Sequence, residues 1–372
     1  MKKEVNDLSC SRKKTSIGGQ ALMEGIMMRG PQNTAMAVRN TQGEIVIEEF
    51  ETKMAKRPAF CRWPVIRGLF GYIDSMTLGY RCLMRSAELS GLEDLVEESP
   101  KKKKKRLERE AEMKTETIAP TTPLKENIAE NAEKNEEKDE KKDEDKVPAW
   151  MMTLMMVFSF VFAFALAIGL FMFLPTFLYQ WLSSFLPFLK SDNMALNSLI
   201  KSVFEGVFKI VLLVGYMAAI ALMKDIRRTF MYHGAEHKTI FCYEAGLELT
   251  VENVRRQRRF HPRCGTSFLI LMLLVSIFIS FFIDPLSIAI SGSVLPLGWR
   301  VLVKILLIPL IVGFGYELIK FAGRHDNVVT RIISAPGVWL QHITVFEPTD
   351  DMIECAIEAI TRVIPKDGSD EW

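Results

Sequence analysis

The sequence predicts an α-helical polytopic membrane protein with about four transmembrane helices and a small α+β cytoplasmic portion formed by its N- and C-terminal regions. Three observations support this fold class. Apolar residues are gathered into segments of the roughly 20 residues that a membrane-spanning helix needs. Charged residues are concentrated between those segments. Near the N-terminus, apolar and polar residues alternate on both sides of a turn, as they do in a β-hairpin.

The first 93 residues are expected to form a glycine-rich β unit followed by an amphipathic helix. Alternation on both sides of Asn40-Thr41-Gln42-Gly43 predicts a hairpin between about Ser16 and Phe50. The apolar, aromatic-rich segment 63–90 is expected to lie on the membrane interface or to pack under the helical bundle. Residues 94–147 are dominated by Lys and Glu, which predicts a charged flexible linker.

Four apolar segments in the region 148–322 are predicted to span the bilayer: Trp150 to Pro175, Leu199 to Met223, Thr266 to Ile283, and Val301 to Phe321. Asp284-Pro285 is interpreted as the end of the third span. Glu205, Lys209 and Glu317 fall inside predicted spans. Such charges are costly in a bilayer, so these side chains are expected to have polar neighbours.

The distribution of Lys and Arg predicts the orientation. The connectors 176–199 and 284–299 hold one such residue or none, whereas the loop 224–265 holds nine. By the positive-inside rule this basic loop and both chain termini face the cytoplasm, in a multi-pass protein of the cell membrane. We interpret the arginine run as a solvated face beside anionic lipid, and predict no specific nucleic-acid partner.

The C-terminal cytoplasmic segment, 323–372, is predicted to contain a strand at His342 to Phe346 and an amphipathic helix from about Asp350 to Ile364. Together with the hairpin, these elements are expected to form a compact cytoplasmic cap. The six cysteines show no CxxC pair or framework spacing, which favours reduced thiols.

The basic loop contains His233-Gly234-Ala235-Glu236-His237, which has the form HxxEH. Residues four apart lie on one face of a helix, so both imidazoles are placed to bind a single ion. Glu236 is the candidate catalytic base, because a carboxylate beside a zinc-bound water can accept its proton. The pattern is the inverted form of a zinc-hydrolase signature and predicts a zinc cofactor.

The third metal ligand has two alternatives in the sequence. His261 and Cys264 lie at the cytoplasmic entrance of the third span, and together they would complete a closed four-ligand set, which is typical of structural sites. Glu317, near the cytoplasmic end of the fourth span, would instead leave one position open for water.

The motifs GGQALMEGIMMRGP, YHGAEHKTI, HPRCGTSF and GYELIKFAGRHDN occur in that order. On these motifs the chain resembles the YqhQ-like family of uncharacterised bacterial membrane proteins, described as predicted metal-dependent enzymes. The resemblance covers nearly everything except the charged linker. It implies that the family's signature residues stand at His233, Glu236, His237, His261 and Cys264.

The leading functional hypothesis is a metal-dependent hydrolase that acts on a peptide or lipid-linked substrate near the inner leaflet. The competing hypothesis is a non-catalytic scaffold or accessory factor, for instance in membrane-protein insertion or secretion. Its histidines would be structural, and its cytoplasmic face would bind a membrane protein or peptide. Transport is a third hypothesis, for which the charges inside the predicted spans are relevant. The sequence defines no oligomeric state.

Overall fold

The computed structural model describes residues 14–52, 58–91, 149–325 and 327–371. The chain divides into two compact units, one formed by residues 1–95 with 179–372 and the other by residues 96–178. The predicted linker 94–147 lies outside the described residues.

The N-terminal region forms a four-stranded antiparallel sheet in the order β1-β2-β3-β4. Its strands are β1 (Gly18–Leu22), β2 (Gly25–Arg29), β3 (Asn33–Arg39) and β4 (Ile45–Glu51). The predicted hairpin around Asn40 to Gly43 is confirmed as β3 and β4, with Arg39 paired to Ile45. Between β1 and β2, Glu24 adopts a left-handed conformation with φ of 52°. Positive φ is common in the tight turns that join two antiparallel strands.

Eleven α-helices are described. They are α1 (Ile66–Leu89), α2 (Ala149–Ile168), α3 (Leu174–Phe185), α4 (Met194–Ile220), α5 (Lys224–Glu244), α6 (Val251–Arg255), α7 (Gly265–Ser291), α8 (Leu297–Leu306), α9 (Ile308–Arg324), α10 (Val328–Thr344) and α11 (Asp350–Thr361). Five π-helical residues, Gly169–Phe173, join α2 to α3. The predicted C-terminal amphipathic helix is confirmed as α11. Helix α1 packs against α9 and the sheet.

Among the described residues, three helical segments are long and apolar enough to cross a membrane: Val157–Phe185, Met194–Ile220 and Gly265–Ser291. The pair α8 and α9 provides a fourth when it is counted as one span, with a bend of 45°. The predicted fourth span is therefore a broken helix. Pro309, at the start of α9, has no backbone N–H to continue the hydrogen bonding of α8.

One apolar core lies between the sheet and two helices, α5 and α11. Ile26, Met28 and Ala37 of the sheet pack there against Tyr232 of α5 and Ile353 of α11, all fully buried. These alternate positions of β2 and β3 face the same side, as the two-residue period of a strand requires. The core holds α5, and with it the HxxEH motif, against the sheet.

Two sequence predictions about secondary structure are wrong. The strand predicted at His342 to Phe346 is instead the end of α10, followed by an extended connector. Asp284-Pro285 does not end the third span, because α7 continues to Ser291 with Pro285 inside it. Proline removes one backbone donor from a helix, but it does not force the helix to stop.

Candidate metal centre

Helix α5 carries the whole HxxEH motif in one continuous run of 21 residues. Because an α-helix has 3.6 residues per turn, Glu236 and His237 lie one turn after His233 and flank it on the same face of α5. Gly234, the residue after His233, lies against the connector after α10, where an added Cβ would be 2.0 Å from the carbonyl oxygen of Phe346. The small residue thus allows the connector to cross the helix at the motif.

Both histidines of the motif are held through their Nδ1 atoms. The Nδ1 of His233 lies 3.2 Å from the carbonyl oxygen of Thr344, and that of His237 lies 2.6 Å from the carbonyl oxygen of Arg259. A carbonyl oxygen only accepts hydrogen bonds, so each Nδ1 donates and each Nε2 is left for another partner. This arrangement is typical of metal-binding histidines.

Cys264 provides the third donor atom. It is the N-cap residue of α7, and its Sγ lies 3.0 Å from the Nε2 of His233. The candidate ligand atoms of His233, His237 and Cys264 all lie within 4.8 Å of one another. Burial alone would raise the pKa of the Cys264 thiol, but His233 and His237 hold this pKa well below its ordinary value. The thiolate, which is the metal-binding form, is therefore favoured.

Glu236 lies beside these three residues and is buried. Its Oε1 accepts a hydrogen bond of 3.1 Å from the backbone N–H of Gly19 in β1, while its Oε2 is buried without a hydrogen-bond partner. Burial raises the pKa of Glu236, and the nearby His233 and His237 oppose that rise. A carboxylate with one hydrogen-bonded oxygen and one unpartnered oxygen can act as a general acid or base.

The three donor atoms fit a zinc ion. Two imidazole nitrogens and one thiolate are ligands that zinc prefers, and three protein ligands leave a fourth position for water. The Nε2 of His237 is buried without a hydrogen-bond partner among the described residues, which is costly unless another group binds it. The donor set and this unsatisfied nitrogen both fit a metal site.

His261 and Glu317 occupy other places. The ring of His261 lies 5.5 Å from that of His237, but its Nδ1 accepts a hydrogen bond from the backbone N–H of Arg263. Burial, followed by the charge on His237, lowers the pKa of His261 well below its ordinary value. Glu317 binds Arg67 of α1, with 2.7 Å between Oε1 and the arginine Nε. The structure brings together His233, His237 and Cys264, with Glu236 beside them.

Sequence reasoning missed the groups that orient the site. The backbone groups of Thr344, Arg259 and Gly19 form hydrogen bonds with site residues from segments distant in sequence. Every residue type has a backbone, so the sequence does not show which backbone groups will do so. Gly19 did carry one signal. An added Cβ there would be 2.9 Å from Cδ of Glu236, so Gly19, in the GGQ motif, permits a close approach.

Comparisons with known proteins find similar sequences of unknown function. A family described as "Protein of unknown function (DUF1385)" matches residues 63–366. The chain is also similar to the uncharacterized protein YqhQ of Bacillus subtilis (strain 168), with 29% identity over 349 residues that cover 93% of this chain and 92% of that protein. No solved structure matches the chain.

Proposed function

The chain belongs to the DUF1385 family of unknown function, and we propose that it is a membrane-bound, zinc-dependent hydrolase with its site at the cytoplasmic face. The observation that carries this proposal is the convergence of His233, His237 and Cys264 beside Glu236, whose Oε2 is buried and unpartnered. Three ligands and an adjacent carboxylate are what metal-assisted hydrolysis requires. The substrate class that we propose is a peptide or a lipid-linked molecule.

In this mechanism, the Nε2 atoms of the two histidines and the Sγ of Cys264 would hold the zinc ion. When bound, zinc would increase the acidity of water and polarise the bond to be cleaved. The Gly19 N–H keeps Oε1 of Glu236 in place, so that Oε2 accepts the proton from the attacking water. Glu236 then donates that proton to the leaving group, which completes the cycle.

The position of Cys264 supports a site at a bilayer surface. Cys264 immediately precedes α7, a segment apolar enough to span a membrane. The nine cationic residues of the loop 224–265 favour the cytoplasmic side. A substrate held at the inner leaflet would therefore reach the site without leaving the membrane surface.

Elemental analysis of the full chain, purified in mild detergent without a histidine tag, tests the metal site. We expect about one zinc per chain, since the donors form a single site. The double variant His233→Ala/His237→Ala should lose this zinc. The absence of zinc from the wild-type chain after incubation with zinc and dialysis would overturn the proposal.

Three further variants separate the roles of the acidic residues and the cysteine. Cys264→Ala should lose most of the zinc, whereas Glu317→Gln should retain it, because Glu317 is bound to Arg67. Glu236→Gln should retain the zinc and lower hydrolysis of a fluorogenic peptide or lipid-ester panel about 10²–10⁴-fold. A Glu236→Gln protein as active as the wild type on a cleaved substrate would refute the mechanism.

One contact favours the alternative of a non-catalytic scaffold or accessory factor. The 3.0 Å contact between His233 Nε2 and Cys264 Sγ can itself join α5 to α7 as an imidazolium–thiolate pair. Burial alone would lower the pKa of His233, but Cys264, with smaller contributions from Glu236 and the Thr344 carbonyl, raises this pKa to about 9. Under this alternative the purified chain holds no zinc, and its cytoplasmic face binds a membrane-protein or peptide partner.

A further inference from the structure

A second cluster of charged side chains lies near the end of α7 that is distant from Cys264. Asp284 follows Cys264 by twenty residues, which corresponds to about 30 Å along a helix. The cluster consists of Lys201, Glu205 and Lys209 of α4, Asp284 of α7, and Arg300 and Lys304 of α8. Lys201 is half-buried and the other five are buried, although all six lie in segments apolar enough to span a membrane.

The two carboxylates of the cluster are surrounded by cations. Asp284 pairs with Arg300 and accepts a hydrogen bond of 2.5 Å from the hydroxyl of Ser198. Glu205 lies 3.4 Å from Nζ of Lys304 and 3.9 Å from Nη1 of Arg300, measured from its carboxylate oxygens. Each acidic group thus has a cationic partner within the cluster, although Oδ1 of Asp284 is buried without a hydrogen-bond partner among the described residues.

The cations are not balanced within the cluster. The cluster holds four basic residues, Lys201, Lys209, Arg300 and Lys304, against two acidic residues, Glu205 and Asp284. Arg300 is only 2% exposed, and its Nε and Nη1 have no hydrogen-bond partner among the described residues. Buried excess charge of one sign is costly, so an anion bound here would stabilise the cluster.

An apolar groove of about 520 Å³ runs beside the charged cluster, between α7 and the bend at Leu307. Its walls include the exposed Phe282, Leu286 and Ile290 of α7, together with Val303 of α8. Arg300 lies on the same face of α8 as Val303, because residues three apart are neighbours on a helix. The groove lining itself is uncharged, and Val303 is its residue nearest in sequence to Arg300 and Lys304.

We propose that this region binds one anionic phospholipid, with its phosphate group at Arg300 and Lys304 and an acyl chain in the groove. Charge complementarity favours an anionic lipid, and the apolar walls favour its chain. The expected depth of the cluster in the bilayer also fits a lipid head group. Helix α7 is about 40 Å long and Asp284 lies about 10 Å from its end, near the level of the head groups. The site is in the leaflet opposite the candidate metal centre.

Native mass spectrometry of the full chain tests this proposal. The delipidated protein in mild detergent is titrated with phosphatidylglycerol or with phosphatidylcholine that carries the same acyl chains. We expect phosphatidylglycerol to bind at least about tenfold more tightly, since charge-assisted contacts to phosphate are involved. Equal affinity for the two lipids would overturn the proposal.

Two variants and one matched control locate the lipid. Lys304→Met removes one cation but leaves Glu205 beside Arg300 and Lys201, so no carboxylate loses all its partners. Val303→Phe fills the groove without changing charge. We expect both variants to bind phosphatidylglycerol about tenfold more weakly. Lys320→Met, which removes a half-buried cation from the other end of the bent span, should bind it as the wild type does.

Two outcomes of these titrations would contradict the site. Unchanged phosphatidylglycerol affinity in both Lys304→Met and Val303→Phe would place the lipid elsewhere. Displacement of the lipid by millimolar inorganic phosphate would show that the cluster takes a free anion. If either variant fails to fold, the wild-type comparison of the two lipids and the phosphate competition still decide the proposal.

Discussion

Gly234 connects the packing of the chain to the chemistry of the candidate metal centre. It lies between the two histidines of the motif and allows the connector after α10 to cross α5. A backbone hydrogen bond of 3.0 Å from Phe346 to Phe230 fixes this crossing. Two residues earlier, the carbonyl oxygen of Thr344 orients His233. A displaced connector would therefore disturb a proposed zinc ligand.

Gly234→Ala should destabilise the protein and weaken zinc binding together. The added methyl group would overlap the Phe346 carbonyl oxygen, and overpacking of this kind costs about 1–3 kcal/mol. The measurement is the apparent thermal midpoint in detergent, combined with elemental analysis. Gly215→Ala is the matched control, because an added Cβ there meets no atom within 4 Å and alanine favours a helix. Equal midpoints for the two variants would contradict this account of the crossing.

At the level of single residues, the sequence predicts donor types well and tertiary partners poorly. His233, Glu236 and His237 could be grouped because helical spacing alone puts them on one side of α5. The choice between Cys264 and Glu317 could not be made, because it depends on a contact with Arg67, 250 residues away in sequence. Likewise, the residue type of Asp284 gave no sign of its pairing with Arg300.

Among the elements, α1 and α9 form a packed pair around an ion pair. Glu317 binds Arg67 and accepts a hydrogen bond of 3.4 Å from the backbone N–H of Val65. Val65 has a φ of 71°, an unusual conformation for a β-branched residue. Gly313 permits the close approach, since an added Cβ would be 2.3 Å from a methyl group of Val65. Glu317 thus contributes to helix packing.

Arg67→Gln should loosen the N-terminal turns of α1 without loss of zinc. The ion pair is partly exposed, so its removal should lower stability by only about 1 kcal/mol. The effect is local, and hydrogen exchange measured across α1 is the appropriate readout. Arg81→Gln, which changes an exposed arginine of the same helix, serves as control. Loss of zinc in Arg67→Gln would instead link this pair to the metal centre.

Elements with a strong periodic signal could be predicted, whereas their interruptions could not. Long apolar runs identified the candidate spans, and helical spacing identified α11. The predicted strand at His342 to Phe346 failed because its β-branched residues divide between the last turn of α10 and an extended connector. That connector forms its hydrogen bond with α5 instead of with a sheet.

For the whole molecule, contacts between the two ends of the chain constrain the membrane topology. The hydroxyl of Thr15 donates a hydrogen bond of 2.6 Å to Asp370, and Ser16 donates through its backbone N–H to the carbonyl oxygen of Asp370. Residues 15–16 and 370 therefore lie on the same side of the membrane. An even number of crossings is therefore expected between them, and the candidate spans give that number when α8 and α9 count together as one span.

This topology predicts opposite labelling of two exposed turns. Ser293→Cys, between α7 and α8, should react with a membrane-impermeant maleimide on intact cells, whereas Gln42→Cys, in the β3–β4 turn, should react only after permeabilisation. The five described cysteines are buried and should give little background, and Cys10, outside the described residues, is replaced by serine. The expected orientation in the membrane follows from the basic loop 224–265, because its cationic residues favour the cytoplasmic side. Labelling of both turns in intact cells would contradict the even number of crossings, and the reverse pattern would place the candidate metal centre outside the cell.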